Sequence, residues 1–335
     1  MENNPFDSFV IYRGPFETKT HLIKGNCQIA MESMSQLQGN NFVISPFNSG
    51  QKVFYIPFTK QQEFTGNEIL NYHFIQLQEP TNDVENRYKN IIELAKRQME
   101  KGKFQKVVLA NKKEFIANSF NPIEFFRKIE GAYKNAFVYL LSCPQTGVWI
   151  GATPEPLITT EGNEHKTIAL AGTIMKDAEQ KFGEKELNEQ NLVEVFIENK
   201  LQQNKIQFTK NGPFPQESAK LVHLKTEYTF AKQTTNEKLF SLLEDLNPTP
   251  ATAGIPKQSA INFIEKHEGF ERTLYTGFLG VIKENNPNLY VNLRCMQYSN
   301  NLITLYAGAG ITKDSIAINE WVETQNKMKT LENFL

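Results

Sequence analysis

Short strand-like runs that fall into neighbouring pairs, with few long helical stretches between them, constrain this chain more than any other feature. Runs such as Phe9–Tyr12, Phe42–Ile44 and Val53–Phe58 are separated by Gly, Pro and Asn, residues that interrupt regular structure and reverse the chain. Phe137–Ser142 and Gly147–Ile150 read as a hairpin. Lys106–Phe115, Lys166–Ala171, Ser218–Thr226, Tyr275–Lys283, Leu289–Tyr298 and Leu302–Ala307 add further strands. Helical spacing of apolar residues marks 82–101, 184–202 and Ser315–Leu335, and a shorter helix starts at Asn121, which can cap it with Pro122 in the first turn. Strict strand–helix alternation is absent, which argues against a parallel sheet. The expectation is an α+β protein whose antiparallel sheets are covered by helices. No Pro/Gly/Ser linker divides the chain, so a single large domain is expected.

Composition removes several classes of function. Lys plus Arg number 36 against 37 Asp plus Glu, a net charge of −1. No global positive field draws in nucleic acid or an anionic membrane, so neither is expected as a partner. No stretch of 18 apolar residues exists to span a bilayer. Residues 1–16 lack a basic segment followed by an apolar run, which favours a cytoplasmic setting. Cys27, Cys143 and Cys295 are odd in number and widely spaced, so neither a disulfide framework nor a zinc knuckle is expected. The five histidines are scattered. A metal would therefore have to be held by carboxylates, which favours Mg²⁺.

Two helices place carboxylates close to apolar stripes. In 184–202 the stripe is Leu192, Val193, Phe196 and Ile197, and Glu189 lies within it, since Val193 and Phe196 are i+4 and i+7. Glu186 sits near the same face, whereas Glu194 and Glu198 are expected to point away. The plain alternative for Glu189 is a frayed helix start, where the dipole favours an acid. In the last helix Glu320, Glu323 and Lys327 share a face with Ile316, Leu331 and Phe334, and the plain alternative is an i,i+4 surface pair. Taken together, inward glutamates on two helices are a reasonable way to hold Mg²⁺.

Small-residue backbone supplies a second hint. Tyr306-Ala-Gly-Ala-Gly-Ile311 follows a strand and precedes a helix, but it lacks the third glycine and the second βα unit of a dinucleotide site. It is expected to expose backbone N–H groups near a helix N-terminus, a place suited to a carboxylate. Leu170-Ala-Gly-Thr173 offers a similar approach, and Asn247–Lys257 reads as a rigid proline-rich loop. Arg294, in a strand-like run, would suit bidentate carboxylate binding. The sum is a pocket for a small dianion and a divalent cation.

The ordered set Lys106-Val-Val-Leu-Ala, Gly151-Ala-Thr-Pro-Glu155, Leu170-Ala-Gly-Thr173, Glu184–Glu189, Pro248-Thr-Pro-Ala251, Arg294, Ala307-Gly-Ala-Gly-Ile311 and Glu320-x-x-Glu323-x-x-x-Lys327 resembles the chorismate-utilising enzymes. Within them it is most similar to isochorismate synthases of menaquinone or siderophore pathways. The match runs over 86–335, and 1–85 form a more variable N-terminal part of the same single chorismate-binding domain. The resemblance implies a monomer acting on chorismate with Mg²⁺, in which water adds at C2 and the C4 hydroxyl departs. It implies Lys106 as the general base and Glu155 as the general acid. Such chemistry asks the base to shed its proton and the acid to keep one near neutral pH. It further implies Glu189 and Glu323 as Mg²⁺ ligands with Glu320 nearby, Gly172 and Thr173 at the ring carboxylate, and Tyr275, Arg294, Gly308 and Gly310 at the enolpyruvyl carboxylate. Lys327 is implied as a further substrate-site lysine.

Ala171, where aminodeoxychorismate synthases carry a lysine, argues against that branch. Ala251, where anthranilate and salicylate synthases carry Thr, fits the isochorismate branch. Asn111, Gln190, Asn247 and Thr252 depart from the usual isochorismate synthase pattern. A lyase yielding salicylate or anthranilate, and a non-catalytic chorismate-binding homologue, are the competing expectations.

Overall fold

Short turns between strand formers reverse the chain and so enforce antiparallel neighbours, because a parallel return needs a long crossover. The computed structural model describes residues 7–30, 34, 37–47, 52–66, 75–77, 82–117, 119–175, 182–218 and 221–335. Every strand pairing among them is antiparallel. In chain order the strands are β1 (Ser8–Arg13), β2 (His21–Gly25), β3 (Gln28–Ala30), β4 (Asn40–Ser45), β5 (Val53–Phe58), β6 (Gln62–Glu63), β7 (Ile75–Leu77), β8 (Lys106–Ala117), β9 (Phe137–Cys143), β10 (Gly147–Thr153), β11 (Pro156–Glu161), β12 (Glu164–Met175), β13 (Phe208–Ser218), β14 (Leu221–Ala231), β15 (Gly254–Ile255), β16 (Phe278–Lys283), β17 (Asn286–Val291), β18 (Cys295–Ser299) and β19 (Leu302–Ile311). The helices are α1 (Asn82–Glu100), α2 (Pro122–Ala132), α3 (Glu184–Gln203), α4 (Asn236–Leu246), α5 (Lys257–His267) and α6 (Ala317–Glu332).

Two sheets result. One has the order β15-β8-β19-β18-β10-β9-β1-β2-β6, with β7 also pairing β8; the other runs β13-β14-β12-β11-β17-β16-β4-β5-β3. Their facing sides share a core that includes Val10, Tyr12, Phe42, Ile56, Tyr139 and Leu279. On the outer side of the second sheet, Val193, Ile197 and Leu201 of α3 and Leu239 and Leu243 of α4 pack on Ala169, Tyr228 and Leu157. On the outer side of the first, Phe125 and Phe126 of α2 and Met328 and Leu331 of α6 pack on Leu140, Ile150 and Leu305. Helices α1 and α5 close over Val107 and Leu109 of β8. The α+β expectation of packed antiparallel sheets with helices outside is therefore met. No helix among the described residues is long and apolar enough to cross a membrane.

Local signals held where side chains satisfy backbone groups. Asn121 Oδ1 accepts from the amides of Ile123 and Glu124 at 3.0 and 3.3 Å and opens α2 with Pro122, as its sequence position predicts. Tertiary context overrode other expectations. Leu289–Tyr298 is two strands, because the chain turns at Arg294, which has φ +48°. Ser218–Thr226 likewise spans the end of β13 and the start of β14, with 219 and 220 outside the described residues. Tyr275 and Thr276 precede β16 in a turn, Thr276 at φ +62°. The eleven-residue helices α4 and α5 were not anticipated. Each presents a short apolar face that becomes distinctive only when the loop between them is placed.

One buried group makes stability pH-dependent. His165 is fully buried, with Nδ1 3.0 Å from Thr160 Oγ1. Burial, aided by the charge of Lys232, pulls its imidazole from 6.5 down to about 4. Below about pH 6.5 the unfolded chain takes up a proton that the folded chain refuses, so stability falls with pH and this loss is complete near pH 4. The deficit approaches about 3 kcal/mol. Urea unfolding of the wild type and a His165→Gln variant at pH 7 and pH 4.5 is expected to show the larger decrease for the wild type. Equal decreases would mean that His165 titrates normally.

Candidate active site

The site assembles where β8 begins and β19 ends. The two strands pair Gly310 with Val108 and Gly308 with Ala110. Alternation along β8 turns Val107 and Leu109 toward the helices and sends Lys106 to the opposite face. The side chain of Lys106 crosses the face of Gly310, where an added Cβ would lie 3.1 Å from Lys106 Cε. Its Nζ reaches Glu189 Oε1 of α3 at 2.6 Å. From α6, Lys327 Nζ donates to the Gly308 carbonyl at 2.8 Å and pairs with Glu323 Oε1 at 2.6 Å. Arg294 Nη1 donates to the Lys327 carbonyl at 3.1 Å and to Thr330 Oγ1 at 2.8 Å. The unusual φ of Arg294 turns its side chain from the β17–β18 break toward α6.

Glu155 follows β10, and its carbonyl accepts from the Val291 amide at 2.9 Å. Burial pushes its carboxyl from 4.5 up to about 7, against the lowering pull of Lys327 and Lys106. These influences place the two lysines in its electrostatic neighbourhood. A narrow cleft runs past Glu155 to Leu170, Thr249, Pro250 and Ala251. Tyr275 is buried, lies face to face with Tyr306 at 5.5 Å, and has its phenol 3.0 Å from where a Cβ at Gly308 would stand. Burial raises that phenol well beyond its ordinary value, so it stays a neutral donor. Gly172 sits at φ +60°, where a Cβ would be 2.6 Å from the Glu186 carbonyl. Only glycine lets α3 approach β12 that closely. The side chain of Thr173 lies outside the described residues.

The fold thus brings Lys106, Glu155, Glu189, Lys327, Glu323, Gly308, Gly310, Arg294 and Tyr275 toward one end of the first sheet. Glu320 sits one turn before Glu323 and adds to the negative field at Tyr88. Among the described residues, no three His, Cys, Asp or Glu side chains form a ready metal cluster. Glu189 and Glu323 are each held by a lysine through Oε1 and are partly exposed, at 31% and 47% of the side chain. Hard carboxylate oxygens open to solvent are the donor type that Mg²⁺ selects, and it often keeps several waters besides one or two carboxylates. The donor chemistry of Glu189 and Glu323 fits Mg²⁺, and these two carboxylates would hold it.

Two local expectations are corrected. Tyr306–Ile311 is the end of β19, and α6 begins only at Ala317. The glycines there admit Lys106 and the Tyr275 phenol to the strand surface instead of opening a helix N-terminus. Glu194 does not point away but is buried, accepting from Thr226 Oγ1 at 2.5 Å and Lys210 at 2.6 Å. Glu198 likewise accepts from Tyr228 at 3.0 Å. The sequence reading assigned no role to His223. It pairs in register with Thr173, and burial and Lys327 lower its imidazole while Glu189 opposes them. A polar residue in an otherwise apolar strand start was the available signal, but only register places it beside Thr173.

A family model described as "Chorismate binding enzyme" matches residues 28–335. The chain is 29% identical over 256 residues to isochorismate synthase MenF of Escherichia coli (strain K12), covering 73% of this chain and 59% of that protein. It is 31% identical over 199 residues to isochorismate synthase EntC of the same organism, covering 56% and 51%. The match therefore spans little more than half the length of these relatives. A solved structure of the menaquinone-specific isochorismate synthase MenF from Escherichia coli superimposes with a TM-score of 0.80 at 21% identity, covering 98% of this chain and 88% of that one. At that identity the likeness concerns the fold.

Proposed function

Because this chain belongs to the chorismate binding enzyme family, we propose that it interconverts chorismate and isochorismate. One observation carries the reading: Glu155, raised to about 7, lies in the fields of Lys106 and Lys327. The reaction needs a base to take a proton from water and an acid to protonate the departing hydroxyl, since hydroxide is a poor leaving group. A carboxyl near 7 keeps a transferable proton at neutral pH and is the acid. Lys106 is the base; on leaving Glu189 its ammonium gives a proton to solvent, and the neutral Nζ then takes the proton of the water that adds at C2. Arg294, the Tyr275 phenol and the small backbone at Gly308 and Gly310 hold the enolpyruvyl carboxylate. Gly172 and Thr173 approach the ring carboxylate, and Lys327 adds positive charge between them. Glu189 and Glu323, with Glu320 adjacent, would hold Mg²⁺, which when bound neutralises the ring carboxylate. Ala251 lines the cleft beside Glu155 and leaves room where a larger polar residue would crowd the ring.

Incubation with chorismate and MgCl₂, with products separated by chromatography, is expected to give an equilibrium mixture of chorismate and isochorismate. A fluorescent aromatic product would assign the lyase branch, and unchanged chorismate beside an active control enzyme would defeat the proposal.

A further inference from the structure

Beyond β15, the strand that carries Lys106 has its edge completed over Val108–Ala110 by side chains instead of by a strand. Strand β15 pairs only with Lys106 and Val107, and the Val108 amide reaches the Ala253 carbonyl at 2.8 Å. Beyond that point Arg272 and Glu268 take over. Arg272 Nη2 donates to the Val108 carbonyl at 2.6 Å, and Glu268 Oε1 accepts from the Ala110 amide at 2.6 Å. The two side chains pair through Nη2–Oε1 at 2.6 Å and Nε–Oε2 at 2.7 Å, and are 1% and 2% exposed. Arg272 Nη1 donates to the Thr252 carbonyl at 2.9 Å and to Thr276 Oγ1 at 3.2 Å. All five guanidinium donors are engaged. Its Cζ lies 4.4 Å from the centre of the Phe47 ring and 5.9 Å from that of the Tyr275 ring.

These contacts end beside three separate parts of the site. Val108 is two residues from Lys106, Thr252 is next to Ala251, and Tyr275 is a site residue itself. A lysine in place of Arg272 would keep the charge but could not supply the planar fork.

We propose that Arg272 and Glu268 are positioning residues that fix Lys106, the Ala251 loop and Tyr275 relative to one another. This inference rests on the isochorismate synthase reading for its kinetic arm only. Arg272→Met, Arg272→Lys and Glu268→Gln are compared with Phe125→Ala, a core truncation on α2 beside Phe120 and Tyr298, at the far end of the sheet. Rates are measured below each melting midpoint and expressed per folded molecule.

Arg272→Met and Arg272→Lys are expected to lose at least tenfold in kcat, with a smaller change in KM for chorismate. Glu268→Gln should lose at least threefold, and Phe125→Ala should melt earlier at unchanged kcat. Independently of turnover, hydrogen exchange across 106–111 is expected to speed at least tenfold in the Arg272 variants and not in Phe125→Ala. Should Arg272→Met not fold, the other two variants decide. Wild-type kcat per folded molecule together with unchanged exchange at 106–111 would overturn the inference. A wild type that leaves chorismate unchanged would defeat the function reading alone, and exchange would still decide the positioning role.

Discussion

Lys106→Ala and Glu155→Gln are each expected to lower turnover of chorismate by about 10³-fold or more while leaving the fold intact. General acid and base groups contribute typically 10²–10⁴-fold apiece, and the leaving hydroxyl depends on a donated proton. Lys106 contacts Glu189 and passes over Gly310, and neither contact holds the sheets together. Alanine there removes no core packing. Glutamine at 155 keeps the size of the side chain and its donor group but cannot give up a proton at neutral pH. The acid role predicts one limb of the pH dependence, and the sign of that limb is definite. The acid works in its protonated form, and its carboxyl titrates at about 7, so the Glu155 limb of kcat/KM falls as pH rises through about 7. That limb is lost in Glu155→Gln, and it is opposed by the Lys106 base, which works only without its proton. Circular dichroism and melting curves verify folding, and steady-state rates from pH 5.5 to 9 verify the rest. Near-normal kcat in either variant would remove that residue from its role.

Gly254→Ala is expected to be strongly disruptive although it adds a single methyl near the site. Gly254 sits at φ +137°, where an added Cβ would clash with the Lys106 carbonyl oxygen and stand 2.8 Å from both Ala260 Cβ and Val107 Cα. Backbone oxygen and Cα cannot move aside as a flexible side chain would, and the backbone angle itself is strained for any L residue. The cost is about 3 kcal/mol or more. Because β15 pairs with the first residues of β8, Lys106 should shift as well, so kcat falls together with stability. Gly102→Ala is the matched control: it also has positive φ, but nothing lies within 4 Å of the added carbon, so its loss should be smaller. Urea midpoints and rates for both variants measure the difference; equal losses would show that strain alone, and not the contact with β8, sets the cost.

Many of the residues that gather at the candidate site were legible because each motif is short and contiguous. Lys106 opens a strand run, Glu155 ends a Gly-Ala-Thr-Pro-Glu stretch, and Glu320, Glu323 and Lys327 share a helical repeat. The i,i+4 pairing of Glu323 with Lys327 needed only helical geometry, and it forms at 2.6 Å. The Asn121 cap and the 82–101 helix were equally local. By contrast, Glu268 and Arg272 look like an ordinary helical i,i+4 pair in sequence. Their importance comes from an unfinished edge of β8, more than 150 positions earlier in the chain, and linear spacing does not show it. Glu194 illustrates the same limit. Its position on α3 suggested solvent, but Thr226 and Lys210 from the neighbouring hairpin satisfy the carboxylate and allow it to be buried.

Sequence by itself determined which residue types are available and the local form of most of the chain, because caps, periodicity and turn formers act over a few residues. It determined the antiparallel α+β class, since neighbouring strand runs joined by short turns leave the chain no room for parallel crossovers. Only the tertiary structure decided which charges meet. Lys106 selects Glu189 from a helix 83 positions away, and Lys327 reaches the Gly308 carbonyl of a strand that its own helix covers. It also decided the protonation of Glu155, because a carboxyl titrates according to the water and charge around it. Desolvation and Coulomb energy depend on distance in space, and distance in space is what folding creates.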